Sequence, residues 1–292
     1  MVSSLPISQV NKEDISSGLR KLGITPGINM IVHSSLKSFG RVEGGPRTVV
    51  EALMELVTPK GTLLMPSFNH GAPFKEGGPG YFHPGETPTT NGAIPDLFWR
   101  MPGVYRSWNP THSFAAWGKN GRRYTEFHHR TLTMGPQSPL GLLYADGGSC
   151  LLLGVGYAVN TFHHVVETFV GAPCLGLRTE TYPMVLPDGR KVEARTWGYR
   201  GEKCPFSDGG KYDKEMQARK LQKEVLIGNC RAVFFQLKDC FEVVSGILRK
   251  GKDGFPPCSC CPIRPRQVPQ TVPSDWDKQK QCLLPDSAAW DY

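Results

Sequence analysis

The amino-acid sequence predicts an α/β fold, as one large domain or as one domain with a smaller lobe. Apolar runs that suit buried strands, at 29–33, 61–66 and 151–153, alternate with segments whose apolar residues recur at helical spacing. The chain has 292 residues, of which 39% are hydrophobic, so it can bury a substantial core. Strands and helices in alternation around such a core predict a sheet covered by helices.

The first third of the chain predicts a helix over 11–22, a strand over 29–33, a helix over 48–57 and a strand over 61–66. The loop between the first strand and the second helix contains Ser, Arg and a Gly-Gly-Pro sequence. Backbone N–H groups and the positive end of a helix can bind phosphate at such a place. Walker and GxGxxG patterns are absent, so a ligand site and a simple turn both remain open.

The segment 69–137 is rich in Gly, Pro, His and aromatic residues, with one helix expected around 93–100. Long ordered loops of this composition often form binding sites. Within it, RSWNPTHSFAA at 106–116 brings a cation, hydroxyls, an imidazole and aromatic rings together. The alternative interpretation of that stretch is a turn followed by a core strand.

The stretch 151–170 carries the clearest chemical pattern. Its apolar strand ends at two glycines, and Asn160 and Thr161 then offer an N-cap for a helix. Thr161, His164 and Glu167 are spaced by three residues, so their side chains project from one side of that helix. An imidazole can accept a proton near neutral pH, a carboxylate one turn away can orient it, and a hydroxyl can donate to an oxyanion. A merely structural hydrogen bond is the alternative.

The last part of the chain predicts further regular elements before its character changes. These are hairpin-like strands over 171–200, a charged helix over 211–225, a strand with a Gly-Asn turn over 226–235 and a helix over 239–250. The remaining residues, 251–292, are proline-rich and non-periodic, which predicts a surface-wrapping or partly disordered tail.

The nine cysteines predict reduced thiols rather than a disulfide framework. Cys258, Cys260, Cys261 and Cys282 could bind zinc, but their C-x-C-C spacing lacks the usual paired C-x₂-C form, so no metal site is expected. The net charge of +8 suits an anionic ligand. A basic stripe interleaved with aromatics is absent, as are a long apolar run and a signal pattern. We therefore expect no nucleic-acid partner, no membrane association and a cytoplasmic location.

Six segments in one order resemble the aminoglycoside 3-N-acetyltransferase family, also called antibiotic N-acetyltransferases. They are HSSLKSFGRVEGGPRTVVEAL at 33–53, GTLLMPSF at 61–68, TPTTNGAIPDLF at 87–98, RSWNPTHSFAAWG at 106–118, SPLGLLY at 138–144 and LLLGVGYAVNTFHHVVE at 151–167. The resemblance covers about residues 10 to 250, which implies a catalytic domain over 1–250 and a separate tail over 251–292.

The resemblance implies an α/β fold particular to this family and distinct from the GNAT fold, with a central mixed sheet, flanking helices and long ordered loops. It also implies an acetyl-CoA-dependent N-acetyltransferase. The residues that match the family's catalytic motif are Thr161, His164 and Glu167. The residues that it assigns to acetyl-CoA are Ser34, Ser35, Leu36, Arg41 and Val42 along the coenzyme groove, with Ser113 and Phe114 at the thioester end.

The expected reaction is direct acetyl transfer in a ternary complex, with His164 as general base, Glu167 orienting it, and Thr161 or a backbone N–H donating to the oxyanion. The expected acceptor is a small-molecule amine, most simply the 3-amino group of a 2-deoxystreptamine aminoglycoside. Six acidic residues of the loops are candidate partners for its ammonium groups: Glu86, Glu180, Asp188, Glu193, Asp208 and Asp213.

The chain departs from the family pattern at Asn109, where a histidine is common, and at His83, where an aspartate is common. His112 lies near Asn109 in sequence and could partly replace that histidine. Three alternatives remain: acetyl transfer to another amine, coenzyme binding without catalysis, and a metal-dependent hydrolase using His163, His164 and Glu167. The hydrolase is disfavoured because adjacent side chains project about 100° apart on a helix. The oligomeric state is not predicted.

Overall fold

The computed structural model describes residues 9–170, 178–199 and 210–249, so the predicted tail lies outside the described residues. The strands are β1 (Gln9–Val10), β2 (Asn29–Ser34), β3 (Arg41–Val42), β4 (Thr62–Pro66), β5 (Tyr105–Arg106), β6 (Phe114–Gly118), β7 (Ser149–Leu153), β8 (Arg178–Val185), β9 (Lys191–Tyr199), β10 (Gln222–Ile227) and β11 (Cys230–Gln236). The helices are α1 (Lys12–Lys21), α2 (Pro46–Val57), α3 (Ala93–Phe98), α4 (Gly121–Thr125), α5 (Pro139–Ala145), α6 (Phe162–Val170), α7 (Gly210–Ala218) and α8 (Leu237–Arg249).

Seven of these strands form a central mixed sheet in the order β10-β11-β7-β2-β4-β6-β5. The middle strand, β2, runs parallel to β4 on one side and to β7 on the other. The remaining neighbours in this sheet are antiparallel. β1 and β3 form a small parallel pair, and β8 and β9 form an antiparallel hairpin. The expected α/β fold with a mixed sheet and flanking helices is therefore confirmed.

The sheet separates two hydrophobic clusters because successive side chains of a strand point to opposite faces. In β2, Ile31 packs with α5, α6 and α8 on one face. Its neighbours Met30 and Val32 pack with α1, α2 and α3 on the other. Strands buried on both faces read as continuous apolar runs, which is why the sequence identified them.

Local sequence signals account for several helix starts. Asn11 caps α1: its side chain accepts a hydrogen bond from the N–H of Asp14, and the Asp14 carboxylate accepts one from the N–H of Asn11. α2 begins at Pro46, directly after Gly45 at φ 63°, which is two residues before the predicted start at position 48. α5 was not predicted, although Ser138 caps it and Pro139 is its first residue.

The predicted helix over 211–225 is wrong in its second half. α7 ends at Ala218, and Lys220 then adopts φ 55°, a left-handed conformation that a helix cannot continue through. Residues 222–227 instead form β10, which pairs with β11 across the Gly228-Asn229 turn. The Gly-Asn turn was predicted, but the strand before it was not.

No helix in the described ranges is long and apolar enough to cross a membrane.

The carboxyl ends of β2, β4 and β7 meet at one edge of the sheet because these three strands are parallel. α2, which leads from β2 to β4, packs on one face, and α5, which leads to β7, packs on the other. The connections to the two neighbours of β2 therefore pass over opposite faces of the sheet. In open α/β sheets, a ligand crevice forms at the carboxyl ends of the strands between two such connections.

Candidate active site

α6 is held at its first turn by a buried asparagine. β7 ends at Leu153, and Gly154 follows at φ 66°, where a Cβ would collide with the side chain of Ser38. After a short 3-10 turn, the Asn160 side chain accepts a hydrogen bond from the N–H of Phe162 at 3.2 Å. The same side chain donates to Cys240 Sγ at 3.6 Å. The predicted N-cap thus positions the helix against the core.

His164 and Glu167 form a hydrogen-bonded pair on α6. His164 Nδ1 lies 2.8 Å from Glu167 Oε2. Glu167 is fully buried, whereas the His164 side chain is 32% exposed. A carboxylate only accepts hydrogen bonds, so Nδ1 carries the hydrogen and the neutral imidazole keeps the lone pair on Nε2. This is the arrangement that a general base requires.

His163 is held on the side of α6 that faces α7. Tyr212 donates its one hydroxyl hydrogen to the carbonyl of Tyr157 at 3.0 Å, so its oxygen accepts from His163 Nδ1 at 3.2 Å. His163 and His164 therefore both carry the hydrogen on Nδ1. Their ring centroids are only 3.9 Å apart.

The expectation that adjacent histidines cannot share a metal is wrong for this helix. One ligand atom from each of His163, His164 and Glu167 lies within 4.8 Å of the others. The two rings lean together at the helix start, so the 100° between their Cα–Cβ directions does not keep them apart. Nitrogen and carboxylate ligands of this kind suit Zn²⁺.

A cavity of about 360 Å³ opens at the carboxyl ends of β2 and β4, in front of α6. It is lined by His33, Ser34, Pro66, Phe68, His70, Asn91, Pro95, Val155, Ala158, Val159, Thr161, His163 and His164. Ser34, Thr161 and His164 are therefore brought together, although more than a hundred residues separate Ser34 from the other two.

Buried polar atoms of the lining without a hydrogen-bond partner among the described residues include His33 Nε2, Ser34 Oγ and Thr161 Oγ1. Native proteins rarely leave such groups unsatisfied, and those that remain point to a ligand or to ordered water. Burial lowers the pKa of His33 to about 4, so this imidazole is neutral at pH 7. The cavity therefore presents the hydroxyls of Ser34 and Thr161 and the imidazoles of His33 and His164 to a bound molecule.

The other predicted coenzyme residues occupy two different places. Ser35 and Leu36 follow Ser34 directly, and the N–H of Ser35 donates to the carbonyl of Leu153 at 2.9 Å. Arg41 is exposed and Val42 is half-buried in β3. These residues extend from the cavity along one edge of the protein.

Ser113 and Phe114 do not line the cavity, and both are fully buried. Ser113 Oγ donates to the carbonyl of Ser67 at 2.8 Å and accepts from Arg106 Nε at 3.2 Å. Phe114 packs on Phe68, a lining residue, with ring centroids 5.0 Å apart. They support the cavity wall from behind.

Arg106 joins two loops behind this wall. Its guanidinium donates to Ser67, to Ser113 and to the carbonyls of Pro84 and Thr87. It also lies 4.3 Å from the ring centroid of Trp99. Burial lowers the pKa of this guanidinium to about 9, so it stays charged at pH 7 without a bound carboxylate.

The four expected acidic residues whose side chains the structure describes do not line the cavity. Glu86 and Glu193 are exposed, Asp213 is half-buried, and Asp188 is paired with Arg190 at 2.8 Å. The side chain of Glu180 and all of Asp208 lie outside the described part of the chain.

The two departures from the family pattern have structural roles in their loops. Asn109 is buried and accepts from the N–H groups of Thr111 and His112, which closes a turn. His112 packs on Phe68, and burial lowers its pKa to about 3. His83 Nδ1 accepts from the N–H of Gly85 at 3.1 Å.

Three polar lining residues were not predicted: His33, His70 and Asn91. His33 begins the HSSL segment, and its position at the end of an apolar strand was the available signal. His70 Nδ1 lies 2.7 Å from Thr90 Oγ1, and burial together with Lys75 lowers its pKa. Asn91 accepts from the N–H of Phe68 at 2.6 Å. His70 and Asn91 reach the site only through loop packing.

Comparisons with known proteins match this fold and most of the chain. A family model described as aminoglycoside 3-N-acetyltransferase matches residues 31–249. The chain is 32% identical over 244 residues to aminoglycoside N(3)-acetyltransferase IV of Salmonella sp, covering 83% of this chain and 88% of that one. It is also similar to the SPbeta prophage-derived aminoglycoside N(3')-acetyltransferase-like protein YokD of Bacillus subtilis (strain 168), with 38% identity over 175 residues. This match covers 53% of this chain and 64% of YokD, which is under two thirds of the length of YokD.

Solved structures share the architecture. The apoenzyme of aminoglycoside acetyltransferase AAC(3)-IVa superposes with a TM-score of 0.73 at 28% identity, covering 91% of this chain and 100% of that one. AAC-IIIb in a binary complex with CoASH has a TM-score of 0.71, covering 83% of this chain and 97% of that one; at 24% identity this shows a common fold alone. Related structures have been solved with a gentamicin, with sisomicin and with apramycin.

Proposed function

The chain belongs to the aminoglycoside 3-N-acetyltransferase family, and on that premise we propose that it transfers the acetyl group of acetyl-CoA to an aminoglycoside amine. The observation that carries the mechanism is the 2.8 Å hydrogen bond between His164 Nδ1 and Glu167 Oε2 beside the cavity. Relatives with aminoglycoside N(3)-acetyltransferase names support the acceptor class.

The reaction begins with a proton transfer. An ammonium nitrogen has no lone pair, so it must lose a proton before it can attack, and His164 Nε2 accepts that proton. Glu167 keeps the hydrogen of His164 on Nδ1 and stabilises the imidazolium that forms. Its full burial strengthens this interaction because water does not screen it.

The amine nitrogen then attacks the carbonyl carbon of the thioester, and the carbonyl oxygen becomes an oxyanion. Thr161 donates a hydrogen bond to it from a hydroxyl that has no hydrogen-bond partner among the described residues. The attacking nitrogen, positively charged once its bond to carbon has formed, releases its second proton to solvent. The tetrahedral intermediate then collapses, the carbon–sulfur bond breaks, and the imidazolium of His164 returns the first proton to the leaving sulfur. The products are the N-acetylated amine and CoASH, without a covalent enzyme intermediate.

The coenzyme groove in this proposal starts at Ser34, Ser35 and Leu36 and passes Arg41 and Val42. Ser34 supports this groove because it lines the cavity and its hydroxyl has no hydrogen-bond partner in the described ranges. Arg41 is an exposed cation next to the start of α2, where a phosphate would be attracted. Ser113 and Phe114 hold the wall near the thioester through Ser67 and Phe68.

Replacing Arg41 by glutamate tests the coenzyme groove. We expect the KM for acetyl-CoA to rise about three- to tenfold, because an exposed charge that meets a phosphate is reversed, with kcat and the acceptor KM little changed. Lys60→Glu makes the same change of charge beside the opposite edge of the sheet, before β4, and should leave all constants unchanged. Equal acetyl-CoA constants in the two variants would place the phosphates elsewhere.

The acceptor is tested with the purified full-length chain, acetyl-CoA and a thiol-release readout. We expect CoASH release with gentamicin, sisomicin or apramycin, the aminoglycosides bound by relatives, and an acetyl mass added to the drug. CoASH release only with neutral or anionic amines would support acetyl transfer but contradict the proposed aminoglycoside acceptor. No release with any amine, despite bound acetyl-CoA, would indicate a coenzyme-binding protein without catalysis.

The His163, His164 and Glu167 group keeps a metal-dependent hydrolase as the second candidate function. The hydrogen bonds from His163 to Tyr212 and from His164 to Glu167 favour the acetyltransferase, because they engage Nδ1 of each ring and one oxygen of Glu167 without a metal. Metal analysis of the purified protein, followed by assay in chelator, separates them. Loss of acetyl transfer in chelator and its return with Zn²⁺ would support the metal mechanism.

A further inference from the structure

His33 lines the proposed active site but has no role in the mechanism above. It lies near the end of β2 and is paired in register with Leu152 of β7. It is only 4% exposed, and its Nε2 is buried without a hydrogen-bond partner in the ranges that the structure describes. Ile31 and Leu152, which point to the same face of the sheet, are both fully buried in the apolar cluster that contains α6. An apolar side chain at position 33 would suit these neighbours better than an imidazole.

The position of the unpartnered groups suggests what His33 contacts. Thr161 Oγ1 and Ser34 Oγ are also buried without a hydrogen-bond partner in the described part of the chain, and the three residues line one cavity. Buried donors that converge on one space are satisfied by a ligand that brings an acceptor there. Resting on the proposed function, we infer that His33 donates a hydrogen bond from Nε2 to the oxygen of the transferred acetyl group, beside Thr161.

The chemistry of the reaction fits a neutral imidazole in this position. As the carbon–nitrogen bond forms, the π electrons of the carbonyl move onto its oxygen, and as the carbon–sulfur bond breaks they return. Only a hydrogen bond that strengthens on the oxyanion is needed, so no proton moves from His33. Burial keeps the pKa of His33 near 4, which leaves the ring uncharged, and a neutral imidazole holds its N–H proton while donating.

The same environment separates the roles of the two histidines. His164 is partly exposed and its Nδ1 donates to the Glu167 carboxylate, which leaves Nε2 as the atom that accepts the proton in the proposed reaction. Burial dominates at His33, and this opposes its protonation. His164 therefore exchanges the proton, and His33 binds the oxygen.

Two substitutions test this role by kinetics and stability. His33→Leu removes the donor, and His33→Gln keeps an N–H group near the position of Nε2. We expect kcat of His33→Leu to fall about 10²- to 10³-fold with the KM for acetyl-CoA within about twofold, as for removal of an oxyanion donor. His33→Gln should recover at least about tenfold of that loss. The Tm of His33→Leu should equal or exceed the wild-type value, because an unsatisfied buried group is removed.

A spectroscopic readout makes the test independent of the acceptor. Acetyl-CoA labelled with ¹³C at the carbonyl should show a downfield carbonyl shift when bound to the wild-type chain, and His33→Leu should reduce that shift while still binding. An unchanged bound shift, or a wild-type kcat in His33→Leu, would overturn the assignment while leaving the proposed function intact. A lower Tm with unchanged kcat would identify a packing role instead. Failure of the wild-type chain to bind acetyl-CoA would overturn both proposals.

Discussion

His164→Ala should lower kcat for acetyl transfer by at least about 10³-fold while leaving acetyl-CoA affinity within about twofold of wild type. The base acts only when the amine loses its proton, and alanine has no group that can accept it. The coenzyme residues proposed on β2 and β3 do not contact His164 through any hydrogen bond given by the structure. Steady-state thiol release measures the first effect, and calorimetric titration with CoA measures the second.

Two companion variants make the result specific. Glu167→Gln retains an oxygen that can accept from His164 Nδ1 but removes the charge that stabilises the imidazolium, so kcat should fall by about 10²- to 10³-fold. His83→Ala removes a histidine that lies outside the cavity and should retain wild-type turnover. Wild-type turnover in His164→Ala would rule out the proposed base.

Arg106→Met should lower the free energy of unfolding by about 3 kcal/mol, because it leaves buried carbonyl and hydroxyl groups of two loops without their donor. Arg106→Lys should recover only part of this loss, since an ammonium cannot reproduce the planar fork of donors. Urea unfolding monitored by fluorescence measures the free energy of unfolding of both variants. The slope m, the dependence of that free energy on urea concentration, should equal the wild-type value.

Arg100 supplies the matched control for Arg106. Both guanidinium groups lie over Trp99, at 4.0 Å for Arg100 and 4.3 Å for Arg106 from the ring centroid. Arg100 is exposed and pairs with Asp96 at 3.2 Å, an interaction worth about 1 kcal/mol or less. An Arg106→Met protein that unfolds at the same urea midpoint as Arg100→Met would show that the loop hydrogen bonds contribute little.

The sequence predicted the features of this site that depend on local spacing. Thr161, His164 and Glu167 are within seven positions of each other, so helix geometry alone relates them. The buried strands were also predictable, because their apolar runs reflect burial on both faces. The sequence also predicted that the helix with these residues follows a buried strand, as α6 follows β7.

Features that depend on packing between distant segments could not be predicted from spacing. The contact of His163 with Tyr212 joins positions 49 residues apart, and neither residue carries a local signal for it. The burial of Ser113 behind the cavity wall, where its hydroxyl accepts a hydrogen bond from Arg106, likewise depends on contacts between segments and has no signal in residue spacing. The strand over residues 222–227 was not predicted in full for a different reason. The charged composition of this segment suits a helix surface, and only its pairing with β11 makes it a strand.

The proposed base and the carboxylate proposed to orient it lie one turn apart on the same short helix, whereas Phe68, His70 and Asn91 of the cavity wall come from loops elsewhere in the chain. Substitutions in those loops can reshape the space offered to an amine without changing the distance between His164 and Glu167. Selection can therefore change the acceptor while the His164–Glu167 pair proposed for proton transfer stays unchanged. On this arrangement, variants with a new substrate range should arise mainly by loop mutations, with α6 unchanged in each of them.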